Sequence, residues 1–146
     1  MFNPHPPLTA FPAVLLLAAV IGEFLAVLTK ARSWRDFSAR ALLLSLVFSP
    51  LTFFSGYWGA ENASQTFTIN EELIANHEGY AKLFMLALFV TALLAMVSRR
   101  ATLNVALFRG IYLTMLCVST GLAVYVGFLG GSLVFLHGAG VSAPKP

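Results

Sequence analysis

Four long apolar stretches alternate with three more polar links along the chain. Each stretch is long enough to cross a hydrocarbon core, which takes roughly 20 residues of α-helix. A helix also satisfies its own backbone hydrogen bonds where no water is available. The pattern therefore predicts an all-α fold, a four-transmembrane-helix bundle formed by a single integral membrane domain over residues 1–146. The predicted helices cover approximately residues 8–29, 41–58, 69–98 and 102–137.

The composition agrees with a lipid bilayer as the main partner of this chain. Hydrophobic residues make up 58% of the 146 residues, charged residues only 10%, and the mean hydropathy is +0.81. Because a soluble domain carries about 25% charged residues, this chain has too few charges to cover a water-facing surface. A separate soluble module is therefore not expected, and no internal repeat is visible in the sequence.

Charged residues separate the two ends of the predicted bundle. Seven of the nine Lys and Arg residues lie in or beside the two short links, namely Lys30, Arg32, Arg35, Arg40, Arg99, Arg100 and Arg109. Four of the six acidic residues lie in or beside the long link between the second and third helices, namely Glu61, Glu71, Glu72 and Glu78. The positive-inside rule predicts that the short links are cytoplasmic and that both termini are periplasmic. This anchoring accounts for the basic charge, so no nucleic-acid partner is expected.

Three histidines, His5, His77 and His137, are predicted to lie at the outward end of this bundle. Neutral imidazole is a common ligand of haem iron, copper and zinc. Each histidine also has a simpler interpretation: His5 as an interfacial polar residue, His77 as a solvated helix residue and His137 as a helix terminus. Their coincidence at one end favours a metal or haem site. Cys117 is the only cysteine, so neither an internal disulfide nor covalent c-type haem attachment is expected.

Glycines on the fourth helix extend this hypothesis. Counting back from His137 in helical steps gives a face that contains Gly127 and Gly130, with Gly131 at its edge. Such a smooth groove could accept a flat macrocycle, or it could allow close packing between helices, for which membrane proteins commonly use small residues. The same two interpretations apply to Gly56 and Gly59 near the outer end of the second helix.

Local signals predict details at the helix ends. Thr68 and Glu71 form a capping box, which predicts that the third helix begins near Ile69. His5 precedes Pro6, which disfavours helical backbone and predicts an extended segment. Glu23 is the one acidic residue inside an apolar stretch, where acids often belong to proton relays or ion paths. A structural role is favoured, in which Glu23 reaches the cytoplasmic interface or pairs with Arg40 or Arg99.

Four segments resemble a known bacterial membrane family. They are HPPLTAFP (5–12), SGYWGA (55–60), HEG (77–79) and GGSLVFLHGAGV (130–141), and they resemble the family called domain of unknown function 2231. The resemblance implies a four-helix protein of the bacterial inner membrane, related to di-haem b-type cytochromes and suspected of binding haem. Members of the family often have a second histidine where this chain has Ala10, so one haem b rather than two is expected.

The favoured hypothesis is an electron carrier with one bis-histidine haem b, because two strong axial ligands favour electron transfer over oxygen chemistry. His77 and His137 are the predicted axial pair, since both lie on helices, and His5 is expected to contact a propionate or close the site. The expected partners are a periplasmic cytochrome or a larger membrane redox complex, with a quinone as a further candidate. The alternatives are a haem-free accessory subunit and a three-histidine copper or zinc site. An autonomous enzyme is less expected, because no nucleophile–base arrangement is visible.

Overall fold

Four long α-helices form the protein, as the sequence predicts. The computed structural model describes residues 5–66 and 71–136, without the side chains of residues 6, 7 and 60–66. All four helices are long and apolar enough to cross a membrane. They are α1 (His5–Thr29), α2 (Arg32–Thr66), α3 (Glu71–Arg100) and α4 (Val105–Phe135). The prediction of an all-α bundle of four transmembrane helices is confirmed.

The first helix begins at His5, so the prediction of an extended segment at this residue is wrong. Proline is tolerated in the first turn of a helix, because the amide hydrogens there have no acceptor within the helix. A residue before proline prefers extended backbone. In this chain the contacts of His5 with α2, described below, outweigh that preference.

The second helix begins at Arg32, nine residues before the predicted start at Ala41. The basic segment is therefore mostly helical, and only Lys30 and Ala31 connect α1 to α2. Hydropathy identifies the apolar part of a helix that can lie in lipid. It does not identify a polar part of the same helix that extends into water, so the predicted start was too late.

The other two helices differ from the predicted bounds by a few residues. The described part of α3 begins at Glu71, and the predicted capping box at Thr68 lies outside the described residues. The fourth helix begins at Val105 and is described to Phe135, so its predicted end at His137 also lies outside them.

The helices pack as two hairpins. Helix α1 packs mainly on α2 and α3 mainly on α4, while smaller α1–α4 and α2–α3 contacts close the ring. Each hairpin connection contains one residue in the left-handed region, Lys30 (φ 57°) or Asn104 (φ 52°). Leu16, Leu88 and Leu116 form the centre of the core and are at most 1% exposed. The large apolar side chains on the outer faces remain exposed, as expected of helices whose solvent is lipid.

Hydroxyl groups satisfy backbone carbonyls inside the first hairpin. Pro12 has no amide hydrogen, so the carbonyl of Leu8 has no donor four residues later in α1. The Thr52 hydroxyl, which lies 3.1 Å from this carbonyl, donates to it and also to the carbonyl of Phe48. Ser45 donates to the carbonyl of Pro12 at 3.0 Å. These bonds fix α2 against the first turns of α1, which is the part of the chain that carries His5.

Candidate functional site

The ring of His5 lies directly on the backbone of Gly56 in α2. A Cβ atom at position 56 would lie 2.6 Å from Cε1 of His5 and 2.9 Å from its Nδ1. Any side chain larger than hydrogen would therefore displace the ring. The Nδ1 atom of His5 lies 3.0 Å from the carbonyl oxygen of Thr52 and 3.1 Å from Oγ of Ser55. Glycine at position 56 thus lets the imidazole reach the carbonyl one turn earlier in the helix.

These contacts determine the tautomer of His5. A carbonyl oxygen can only accept, so Nδ1 carries the hydrogen and donates it to Thr52. The hydroxyl of Ser55 donates its own hydrogen to the same carbonyl at 2.8 Å, and Oγ can therefore accept from the ring. Burial lowers the pKa of His5, and the bond to the Thr52 carbonyl raises it by a smaller amount. At neutral pH the ring is therefore neutral, with the lone pair on Nε2.

The ring of His77 lies on Gly130 of α4 in a similar way. A Cβ atom at position 130 would lie 3.2 Å from Cε1 of His77, and 3.7 Å and 3.8 Å from its two nitrogens. The backbone carbonyl of Val126 interacts with the imidazole of His77, and Nδ1 of this ring is buried. This nitrogen has no partner with hydrogen-bonding geometry within the described chain. The described chain therefore supplies no hydrogen bond to offset the cost of burying this nitrogen.

The two imidazoles meet at one end of the bundle, opposite the hairpin connections. Their ring centroids are 6.3 Å apart and their planes are inclined by 79°. His5 comes from the first hairpin and His77 from the second, so the pair joins the two halves of the molecule. A metal ion bound to one nitrogen of each ring, at about 2.0–2.1 Å, fits between imidazoles at this spacing. No group of three or more His, Cys, Asp or Glu residues with metal-binding proximity is present among residues 5–66 and 71–136.

The remaining predicted site residues have different surroundings. His137 lies outside the described residues, so its pairing with His77 stays a prediction. A Cβ atom at Gly127 would meet nothing within 4 Å, and one at Gly131 would meet only the ring of Phe135, at 3.9 Å. Of the three glycines predicted on α4, Gly130 is the one that lies against either of the two described histidines.

Aromatic packing surrounds the second histidine. The rings of Tyr80 and Tyr125 pack edge to face with centroids 4.7 Å apart, which joins α3 to α4 one turn from His77. Phe84 and Leu88 continue this face of α3 into the buried core. The interior next to the histidine pair is therefore apolar, as expected of either a haem pocket or an ordinary core.

Sequence reasoning missed the groups that orient the two rings. The carbonyls of Thr52 and Val126 carry no side-chain signal. The spacing of Thr52, Ser55 and Gly56, which puts a hydroxyl and a glycine on one helix face, could have indicated a histidine contact. Nothing in the sequence says which of the distant histidines would use it.

A second polar cluster lies toward the opposite end of the bundle. Oε2 of Glu23 in α1 lies 2.9 Å from the guanidinium of Arg109 in α4, and the Tyr112 hydroxyl lies 3.4 Å from Oε1. Glu23 thus pairs with Arg109, a partner not considered from the sequence beside Arg40 and Arg99, and Arg99 contacts Asp36 at 2.9 Å. The reason is that α1 packs against α4 at this level, which brings the first turns of α4 next to the carboxylate.

Comparison with known proteins gives one match. A family described as predicted membrane protein (DUF2231) matches residues 2–143, which is nearly the whole chain. No curated protein and no solved structure matches the chain.

Proposed function

Since the chain belongs to the DUF2231 family of predicted membrane proteins, and since its two described histidines meet at one end of the bundle, we propose that it is a membrane electron-transfer protein. It resembles a small b-type cytochrome, or a subunit of one, that holds one haem b through two histidines. The observation that carries the proposal is the pair formed by His5 and His77, with ring centroids 6.3 Å apart.

The donor set fits a haem iron. A neutral imidazole whose Nδ1–H is bonded to a backbone carbonyl is the usual state of a histidine that binds metal through Nε2. Nδ1 of His5 makes this contact with the Thr52 carbonyl, and the ring of His77 interacts with the Val126 carbonyl. The glycines under both rings leave no side chain between ring and backbone. The buried and incompletely bonded Nδ1 of His77 is a polar group whose burial costs free energy, and a ligand role would give a reason for its presence.

A haem held by His5 and His77 would supply reversible one-electron exchange, taking one electron from a reduced one-electron carrier and passing it to an oxidised acceptor. The protein contributes position and environment: His5 and His77 are held by packing on opposite hairpins, and the apolar interior around Phe84 excludes water. No proton transfer is required of either histidine.

The location of the site limits the partners. The basic residues Lys30, Arg32 and Arg99 lie at or beside the hairpin connections. Both histidines lie at the opposite end of the bundle. With the basic end in the cytoplasm, the site faces the periplasm of a bacterial inner membrane. A periplasmic cytochrome or a larger membrane redox complex is then within reach, and a quinone is a further candidate partner in the lipid.

The test is the visible spectrum of the purified full-length protein. Wild type is expected to show a low-spin reduced-minus-oxidised spectrum, with one haem b per chain in a pyridine haemochrome assay. His77→Ala should lose this low-spin spectrum, because His77 belongs both to the pair with His5 and to the predicted pair with His137. Asn76→Ala, which changes the exposed neighbour of His77, is the matched control and should keep it.

Other outcomes would point to the other functions. Wild-type protein that is folded but contains no haem after expression with excess haem precursor would contradict the proposal. Copper or zinc in metal analysis would then indicate a histidine metal site, and neither metal nor haem would favour an accessory subunit.

A further inference from the structure

The two helical hairpins are equivalent halves of the molecule, although the sequence shows no repeat. His5 and His77 are 72 positions apart, and the glycines beneath them, Gly56 and Gly130, are 74 positions apart. In each hairpin, the histidine near the start of one helix lies on the glycine of the next helix. A rotation that exchanges the two hairpins would therefore exchange the two histidines.

Most buried positions follow the same register. Four of the six residues described as buried in α1 lead, 72 positions on, to a buried residue of α3; the pairs are Pro12 with Phe84, Leu16 with Leu88, Ala19 with Thr91 and Glu23 with Ala95. Four of the six in α2 lead, 74 positions on, to a buried residue of α4; the pairs are Ser38 with Tyr112, Leu42 with Leu116, Ser45 with Ser119 and Ser49 with Ala123. The exceptions lead to half-buried residues; they are Gly22, Ala26, Ala41 and Ser55. Helical periodicity alone would allow several registers, but the histidines and glycines select this one without reference to burial.

The equivalence extends to the polar contacts of the two rings. The Nδ1 of His5 donates to the carbonyl of Thr52, four residues before Gly56. The ring of His77 interacts with the backbone carbonyl of Val126, four residues before Gly130. Each ring therefore meets a carbonyl four residues before the glycine on which it lies.

We infer that His5 and His77, rather than His77 and His137, are the two ligands of the haem iron, one from each hairpin, because their rings lie 6.3 Å apart. This inference rests on the proposed function. Within it, Gly56 and Gly130 are positioning residues that act through the histidines. The metal site is thus built once by each hairpin, and neither hairpin completes it alone.

Three histidine variants of the full-length protein separate the two possible pairs. His5→Ala and His77→Ala should each abolish the low-spin spectrum, while His137→Ala should retain it. Loss of the spectrum in His137→Ala together with its retention in His5→Ala would overturn the inference and leave the proposed function standing. Absence of haem from the wild type would instead mean that the proposed function itself has failed.

The glycines provide a second test with matched controls. Gly56→Ala and Gly130→Ala should each lower haem affinity by about tenfold or more, as changes that disturb the groups orienting a ligand do, and Gly56→Ala should have the larger effect because its clash is closer. Gly110 and Gly121 lie on the same helix as Gly130 and have open space at Cβ, so Gly110→Ala and Gly121→Ala should change nothing. Equal losses in all four variants would show that helix packing, and not the position of the histidines, is responsible.

A readout on haem-free protein keeps the orientation of the rings testable by itself. In nitrogen-15 spectra of histidine-labelled protein in detergent, His5 should be the Nδ1–H tautomer, because Nδ1 lies 3.0 Å from the Thr52 carbonyl oxygen. Gly56→Ala should shift the signals of His5, and Gly130→Ala those of His77. Unchanged histidine signals in both variants would contradict the positioning role of the two glycines.

Discussion

Glu23 shows how a single charged residue is accommodated in a transmembrane helix. Its carboxylate is only 8% exposed and forms an ion pair with Arg109 of the neighbouring α4. An ionised group inside a bilayer is costly unless it is paired, and removing one partner of a buried pair leaves the other uncompensated. In this chain the pair joins α1 to α4, which are otherwise in limited contact.

A double-mutant cycle measures this contribution. Glu23→Gln and Arg109→Gln should each lower the unfolding free energy in detergent, because each leaves a partly buried charge without a partner. The double variant should be less destabilised than the sum of the two, by about 1–3 kcal/mol of coupling energy. If the effects of the two single variants add up to that of the double variant, the ion pair contributes nothing to stability. The exposed pair of Lys82 with Glu78 is the control, with an expected coupling of about 0.5 kcal/mol or less.

The pairing of side chains is the part that could not be predicted from the sequence. Charge asymmetry and helix count are enough to predict that the histidines share one end, and the structure brings His5 and His77 together there. The choice of histidine pair depends on the rotation of each helix about its axis and on which helices are neighbours in the bundle. The partner of Glu23 was missed for the same reason, because Arg40, Arg99 and Arg109 are all at a plausible height.

Helix ends, at the scale of single elements, depend on local chemistry that hydropathy does not record. The start of α2 at Arg32 lies in a basic segment that a hydropathy scan assigns to a loop. The end of α1 is set by Lys30, whose left-handed backbone (φ 57°) lets the chain turn within two residues. A left-handed conformation costs a non-glycine residue roughly 1–2 kcal/mol, and glycine is the usual residue at this place after a helix.

Substitution of Lys30 tests the strain at this turn. Lys30→Gly is expected to stabilise the protein by about 0.5–1 kcal/mol, because relief of the left-handed strain exceeds the extra backbone freedom that glycine gives the unfolded chain. Thermal unfolding in detergent measures the difference. Thr29→Gly, one residue earlier and within the helix, should instead destabilise it by about 1 kcal/mol. Destabilisation by both variants would mean that the turn carries no strain.

At the scale of the whole molecule, two hairpins place all of the described imidazole chemistry at one end and most of the basic residues at the other. The sequence was sufficient for the number of helices and for this polarity. The equivalence of the hairpins was not visible, because matched positions carry different residues, such as Ala19 with Thr91 or Glu23 with Ala95. Burial is shared between these positions while chemical identity is not.

Fusions to reporter proteins test the proposed orientation. A reporter that is active only in the cytoplasm should be silent when it is fused after Pro146, since both termini are expected in the periplasm. The same reporter inserted in the connection between Arg100 and Val105 should be active, which controls for expression and folding. The reverse pattern would put the histidine pair on the cytoplasmic side and would require different redox partners.

The two hairpin connections differ in length, with two residues joining α1 to α2 and four joining α3 to α4. This difference of two accounts for the change from an offset of 72 to one of 74 between the halves. Additions to the connections leave the histidine and glycine in phase, and lengthening a flexible loop costs little free energy, about 0.6 kcal/mol for each doubling. One residue added within α1 after His5 would turn the imidazole by about 100° and shift it by about 1.5 Å. Inserted residues are therefore expected to be tolerated in the connections and not in the helical segments that link each histidine to its glycine.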